Sequence, residues 1–334
     1  MNTAERLQSY GAFDETVIEI VERVAHEQNQ STYTELVDKY GIEDGPEIFF
    51  GTGQHKPIEI LTINPFKYCD PTRARLLYAP MGIPVDASMA MRGLRLFASD
   101  PSEQLLIVGN AGAPPRNTGR LRVNELITVA RGNLAPTVDP VIDYLRAKHV
   151  TQTTHIGYSF GADKSATAVK RAAERDIQSD YAVMIEPASV TKRSVLALGK
   201  AFAAAGSKLE PTIKAVDSQP LIEARNLADT GLVRYLMGIG RLTNIAIAEA
   251  LSSGHFEQRV TQAIHYQPNM HATIAWGTQS ELSEPAVLTD MAERLQRRFG
   301  EQHIAALAID GMRHAGGDDI DLHAAIVLQA LRTS

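Results

Sequence analysis

The amino-acid sequence predicts an α/β fold, a mostly parallel sheet with helices on both faces and a helical cap inserted late in the chain. Three observations predict it. Short uninterrupted apolar runs recur, each ending in Gly, Pro or an acidic residue, as strands buried on both faces of a parallel sheet do. Segments with apolar residues at helical spacing separate them, giving the alternation of a doubly wound layer. One interval, residues 188–268, carries no strand pattern, and the alternation resumes after it.

The elements follow in order. Residues 1–40 read as a helical extension, with Val17, Ile20, Val21 and Val24 at helical spacing among acidic residues. A helix outside the sheet packs either on its own core or on a second copy of the chain, so a homo-oligomer stays open at this stage. Strands are expected at Glu47–Gly51 and Ile58–Ile63, separated by Gly53 and Pro57. Arg75–Ala79 is an apolar run ending in Pro80-Met81-Gly82; Ala87–Ala98 reads as a helix; Gln104–Val108 runs into Gly109. Asp139 before Pro140 reads as the N-cap and first residue of a helix. Thr153–Ile156, Tyr181–Ile185, Ala272–Trp276 and Ile304–Ile309 complete the strands, and Ile320, Ala324, Val327 and Leu331 mark a final helix. The core is then residues 1–187 and 269–334, and the cap is residues 188–268, with Leu196, Phe202, Leu221, Leu242 and Ile247 spread over several helical segments.

Composition narrows the function. A chain of 334 residues, 44% hydrophobic and 22% charged, suits one large domain with an insertion. A formal net charge of −6 lacks the basic footprint of a general nucleic-acid binder. The single cysteine, Cys69, can supply neither an intrachain disulfide nor a multi-cysteine zinc site. The N-terminal segment is polar and acidic, unlike a signal peptide, and no apolar run is long enough for a membrane span. The expected location is the cytoplasm.

The chemistry is expected at Gly157-Tyr158-Ser159-Phe160-Gly161, a G-x-S-x-G sequence between an apolar strand and an alanine-rich helix. A sharp strand-to-helix turn lifts the serine hydroxyl above the sheet, and the glycines admit close backbone approach. The turn aims the N–H of Phe160 at a developing oxyanion, with the helix dipole behind it. The neighbouring Lys164 does not make this a phosphate-binding loop, because Ala162 and Asp163 separate it from Gly161. Gly238-Ile239-Gly240 fails as a dinucleotide fingerprint for want of a third glycine and a preceding strand.

A serine needs a base to take its proton. Of the ten histidines, His314 has the expected place, in a loop between the last strand and the last helix. His303 opens that strand at its wrong end, His323 lies in the final helix, and His155 reads as a core residue of the elbow strand. The orienting acid is expected after the strand that precedes the histidine strand, which points to Glu281. Glu284 and Glu186, the latter at the end of the strand before, remain alternatives.

Together these residues resemble the α/β-hydrolase superfamily over roughly residues 47–334. LLYAPMGIP is similar to the family's strand and oxyanion loop, and LLIVGNAGAP to its next strand and Gly-rich turn. The resemblance implies the N–H of Ile83 as a second oxyanion donor. It departs at Met81, where the family commonly carries His, at Ser280, where Asp is common, and at Asn110. It implies a serine hydrolase acting on a small-molecule acyl substrate, a partly hydrophobic ester foremost, without metal or organic cofactor. The same scaffold also serves acyl transfer, peptidase and haloperoxidase-like reactions and non-catalytic binding.

Overall fold

The computed structural model describes residues 2–41, 47–49, 58–63, 70–81, 85–110, 121–206, 218–226 and 241–333. The strands are β1 (Glu47–Phe49), β2 (Ile58–Ile63), β3 (Arg73–Tyr78), β4 (Gln104–Val108), β5 (Gln152–Tyr158), β6 (Gln178–Ile185), β7 (His271–Gly277) and β8 (Ile304–Ile309). Among the described residues they form one eight-stranded sheet in the order β1-β2-β4-β3-β5-β6-β7-β8. The pairs β1–β2 and β2–β4 are antiparallel, and β4 through β8 run parallel. From β3 the chain steps to β4 on one side and β5 on the other. A reversal of this kind opens a crevice at the carboxyl ends of the strands, where open α/β sheets carry their sites.

Apolar alternation covers both faces. Leu77, Ile107, Ile156, Val183 and Ile185 face one layer; Leu76, Leu106 and Val108 face the other. The first layer holds α1 (Thr3–Gln8), α2 (Glu15–Asn29), α3 (Tyr33–Tyr40), α4 (Ala87–Ser99) and the last helix, α13 (Ile320–Arg332). The N-terminal helices therefore dock on their own core, through Leu7, Val17, Val21 and Leu36. The opposite layer holds α6 (Ala135–Ala147), α7 (Phe160–Ala173), α11 (Phe256–Tyr266) and α12 (Pro285–Phe299).

Two expectations need correction. The helix expected to start at Asp139 starts a turn earlier, at Ala135, with a proline in its first turn and Pro140 inside. Asp139 faces α7 and binds Arg171 rather than capping. Second, the interval 188–268 is not one unit. Its helices are α8 (Val195–Gly206), α9 (219–226), α10 (Arg241–Ser252) and α11. Phe256, Val260, Ala263 and Ile264 of α11 pack on Ala162, Ala166 and Val169 of α7, so α11 belongs to the core layer. Leu221 of α9 joins the N-terminal layer, and Glu223 accepts from the N–H of Tyr33 at 2.8 Å. Only α8 and α10 group with α5 (Val123–Ala130), around Val129, Leu198, Ile247, Leu251 and Phe160.

Candidate active site

The G-x-S-x-G turn forms because two close approaches permit no side chain. A Cβ on Gly157 would sit 2.0 Å from the carbonyl oxygen of Gly161, and one on Gly161 would sit 2.5 Å from that of Tyr78. Between them Ser159 takes φ 57°, ψ −122°, a costly conformation for a residue with a side chain. Its N–H donates to the Ile185 carbonyl at 2.9 Å, which ties the turn to β6. Phe160 opens α7, so its N–H has no intrahelical acceptor.

The histidine loop is pinned beside this turn. Tyr158, the residue before Ser159, donates its hydroxyl to the His314 carbonyl at 2.7 Å and to Asp318 at 3.3 Å. Its ring lies 5.2 Å from the His314 ring. Arg92 grips Asp318 at 2.6 Å and lies 5.6 Å over the Tyr158 ring. From the opposite side α8 lays Phe202 edge-on to His314, centroids 6.3 Å apart. Among the described residues the Ser159 hydroxyl makes no hydrogen bond. Tyr158 ties the His314 loop to the residue before Ser159.

Of the three candidate carboxylates, the one at the His314 ring is Glu186. Nδ1 of His314 lies 3.0 Å from Oε2 of Glu186. Glu186 directly follows β6, is fully buried, and takes φ 50°. Its carboxylate also accepts from the Gly277 N–H at 2.6 Å and the Ser280 hydroxyl at 2.5 Å. Three polar partners thus surround the buried carboxyl group. Glu281 instead accepts from Arg313 at 2.8 Å and from the backbone N–H of His314 at 3.3 Å, so it fixes the loop and not the ring. Glu284 is the N-cap position of α12. The physical reason is register: Ile185 pairs with Ala275, so the ends of β6 and β7 open side by side toward the same histidine.

Two other histidines, His155 and His323, are fully buried. His155 bonds Tyr78 through one ring nitrogen and Thr153 and Ser179 through the other. His323 is buried, with Nδ1 3.4 Å from the Gly317 carbonyl. Ile83 and Cys69 lie outside the described residues. No group of three or more His, Cys, Asp or Glu residues placed to hold a metal occurs among the described residues. No described helix is long and apolar enough to cross a membrane. An open cleft of about 470 Å³ lies on the outer side of α7, lined by Arg131, Lys170, Arg171 and Arg259 but by none of Ser159, Glu186 and His314.

No protein-family model and no curated protein sequence matches the chain. Solved structures do. A serine hydrolase from the polyaromatic hydrocarbon-degrading bacterium Cycloclasticus zankles superposes with a TM-score of 0.58 at 14% identity, over 86% of this chain and 97% of that one. The enol-lactonase from Burkholderia xenovorans gives 0.54 at 14%, over 86% and 100%. The 2-hydroxy-6-oxo-6-phenylhexa-2,4-dienoate hydrolase of a Rhodococcus species gives 0.53 at 15%, over 86% and 99%. With this strand order and these likenesses, the chain has the α/β-hydrolase fold.

Proposed function

We propose that the chain is a serine hydrolase that cleaves a carboxylic ester, or a related acyl bond, through an acyl-enzyme. The observation that carries this is the 3.0 Å contact of His314 Nδ1 with buried Glu186, on a loop pinned to the residue before Ser159. In this reading Ser159 attacks the carbonyl carbon while Nε2 of His314 takes its proton. Glu186 holds the ring in the tautomer that leaves Nε2 free and stabilises the imidazolium. The N–H of Phe160, and on family resemblance that of Ile83, receive the oxyanion, each donor contributing about 3 kcal/mol to lowering the barrier. His314 returns the proton to the leaving group, and water repeats the sequence on the acyl-enzyme.

A partly hydrophobic acyl group suits the site, because Phe202 borders the imidazole and Phe160 joins the apolar cluster of α5, α8 and α10. The similar structures include a serine hydrolase, a lactonase and an oxo-acid hydrolase, which supports acyl chemistry without choosing a substrate.

The test is labelling with a fluorophosphonate probe, together with turnover of short p-nitrophenyl esters, for wild type, Ser159→Ala and His314→Ala. Labelling is expected to vanish with Ser159→Ala and to drop sharply with His314→Ala, all three chains retaining the same circular dichroism. Silence of the wild type toward both probe and esters would make the chain a binding protein on this scaffold.

A further inference from the structure

Lys164 lies on α7, a little more than one turn past Ser159, and is 0% exposed. Its ammonium donates to the Gly109 carbonyl at 2.9 Å and to Oδ1 of Asn110 at 3.1 Å. The amide of Asn110 in turn donates to the Pro80 carbonyl at 2.7 Å. One side chain on the nucleophile helix thus joins the carboxyl ends of β4 and β3, and Pro80 leads into the segment that contains Ile83.

The charge itself is unusual. Among the described residues the groups facing the ammonium are these two acceptors, the Tyr78 ring at 5.3 Å and the Phe160 ring at 5.8 Å. Among the described residues Tyr78 is the only titratable one, and its hydroxyl is engaged by His155. Among the described residues no carboxylate pairs with Lys164; the adjacent Asp163 is turned to Arg259, 2.5 Å away. A buried cation without a counter-ion is costly, and burial draws this amine down to about 7. A neutral side chain could fill the same space at lower cost.

We propose that Lys164 is a positioning residue for the acyl chemistry: its ammonium clamps the ends of β3 and β4 onto the helix that opens at Phe160 and so holds the serine turn against the sheet. The proposal rests on the hydrolase reading. The clamp weakens when the amine loses its proton, because the charge-assisted bonds to Gly109 and Asn110 revert to neutral ones of roughly half the strength.

The experiment compares wild type, Lys164→Met and Lys164→Arg in steady-state hydrolysis of p-nitrophenyl butyrate between about pH 6 and 9. It is combined with NMR of ¹³Cε-labelled lysine. Lys164→Met is expected to lower kcat by roughly 10- to 100-fold with KM within about 3-fold, the split of a group that acts in the transition state. The wild type loses activity as the pH rises through about 7, with one lysine resonance titrating in step and absent from Lys164→Arg. Both variants lack that loss, since methionine and arginine do not titrate there. A Lys164→Met enzyme with the wild-type kcat and pH profile overturns the proposal. If Lys164→Met fails to fold, retention of the wild-type loss by Lys164→Arg overturns it instead. A wild type that neither labels nor hydrolyses loses the hydrolase reading and this role together. An active wild type beside an indifferent variant loses the role alone.

Discussion

His314 presents Nδ1 to Glu186 at 3.0 Å while its own backbone N–H reaches Glu281 at 3.3 Å, so two carboxylates share one residue in different ways. A carboxylate on the ring selects a tautomer and steadies a developing charge; one on the backbone only places the loop. Glu186→Gln is therefore expected to lower kcat by about 10⁴, because an amide in that place holds the wrong tautomer. Glu281→Gln keeps an acceptor for the same N–H and is expected to stay within about 3-fold of wild type, the size of a lost exposed pair with Arg313. Kinetics of the two variants side by side decide the matter, and the reverse order of effects would return the acid to Glu281.

The difference between these two glutamates shows what a sequence can carry. The serine turn was legible because its requirements are local: glycine at 157 and 161 answers to backbone contacts within the turn and with Tyr78. His314 was legible because it follows a strand at the right end. Glu186 also follows an apolar run, and that signal put it among the candidates. Nothing local ranks it above Glu281, because the ranking depends on which strand lies beside β7. The same holds for α11. Its apolar positions Phe256, Val260, Ala263 and Ile264 have helical spacing, yet only the packing shows that they cover α7 and not an inserted cap. Lys164 stood out only as a misplaced phosphate-loop lysine, since neither its burial nor its acceptors on β4 can be read from its neighbours in sequence.

Two buried histidines give stability a pH dependence whose sign can be worked out. Burial lowers His155 and His323 each to about 3, so both are neutral in the folded chain. The unfolded chain takes up their protons near pH 6.5, so it binds more protons than the folded one between about 6.5 and 3. Their stabilising share is full above 6.5 and is lost as the pH falls toward 3, by on the order of 1 kcal/mol per pH unit for each residue. Urea denaturation of wild type and His323→Met at several values between about pH 7 and 5 measures this. Methionine also removes Nε2 of His323, a buried nitrogen without a partner among the described residues. The variant is expected to show a shallower slope; an unchanged slope would mean that His323 is not neutral in the folded state.

The N-terminal helices are held by a buried ion cluster as well as by apolar contact. Asp321 of α13 accepts from Arg95 of α4 and, at 2.5 Å, from Arg6 of α1; Arg6 also meets Asp319. Arg95 is 2% exposed and among the described residues has one further side-chain hydrogen-bond partner, Gln28 of α2, at 2.8 Å. Removing the carboxylate strands a guanidinium that water cannot reach. Asp321→Ala is therefore expected to destabilise the chain by about 3–5 kcal/mol. Replacing both members by apolar residues of similar volume, Arg95→Met with Asp321→Leu, leaves less charge unpaired and is expected to cost less than the single change. The pair of measurements separates two roles. If the double variant is as unstable as Asp321→Ala, the shape and hydrogen bonds of the cluster hold the helices in place. If it recovers stability, apolar packing of Leu7, Val17 and Val21 suffices, and the cluster serves to choose the register in which α1 and α2 dock.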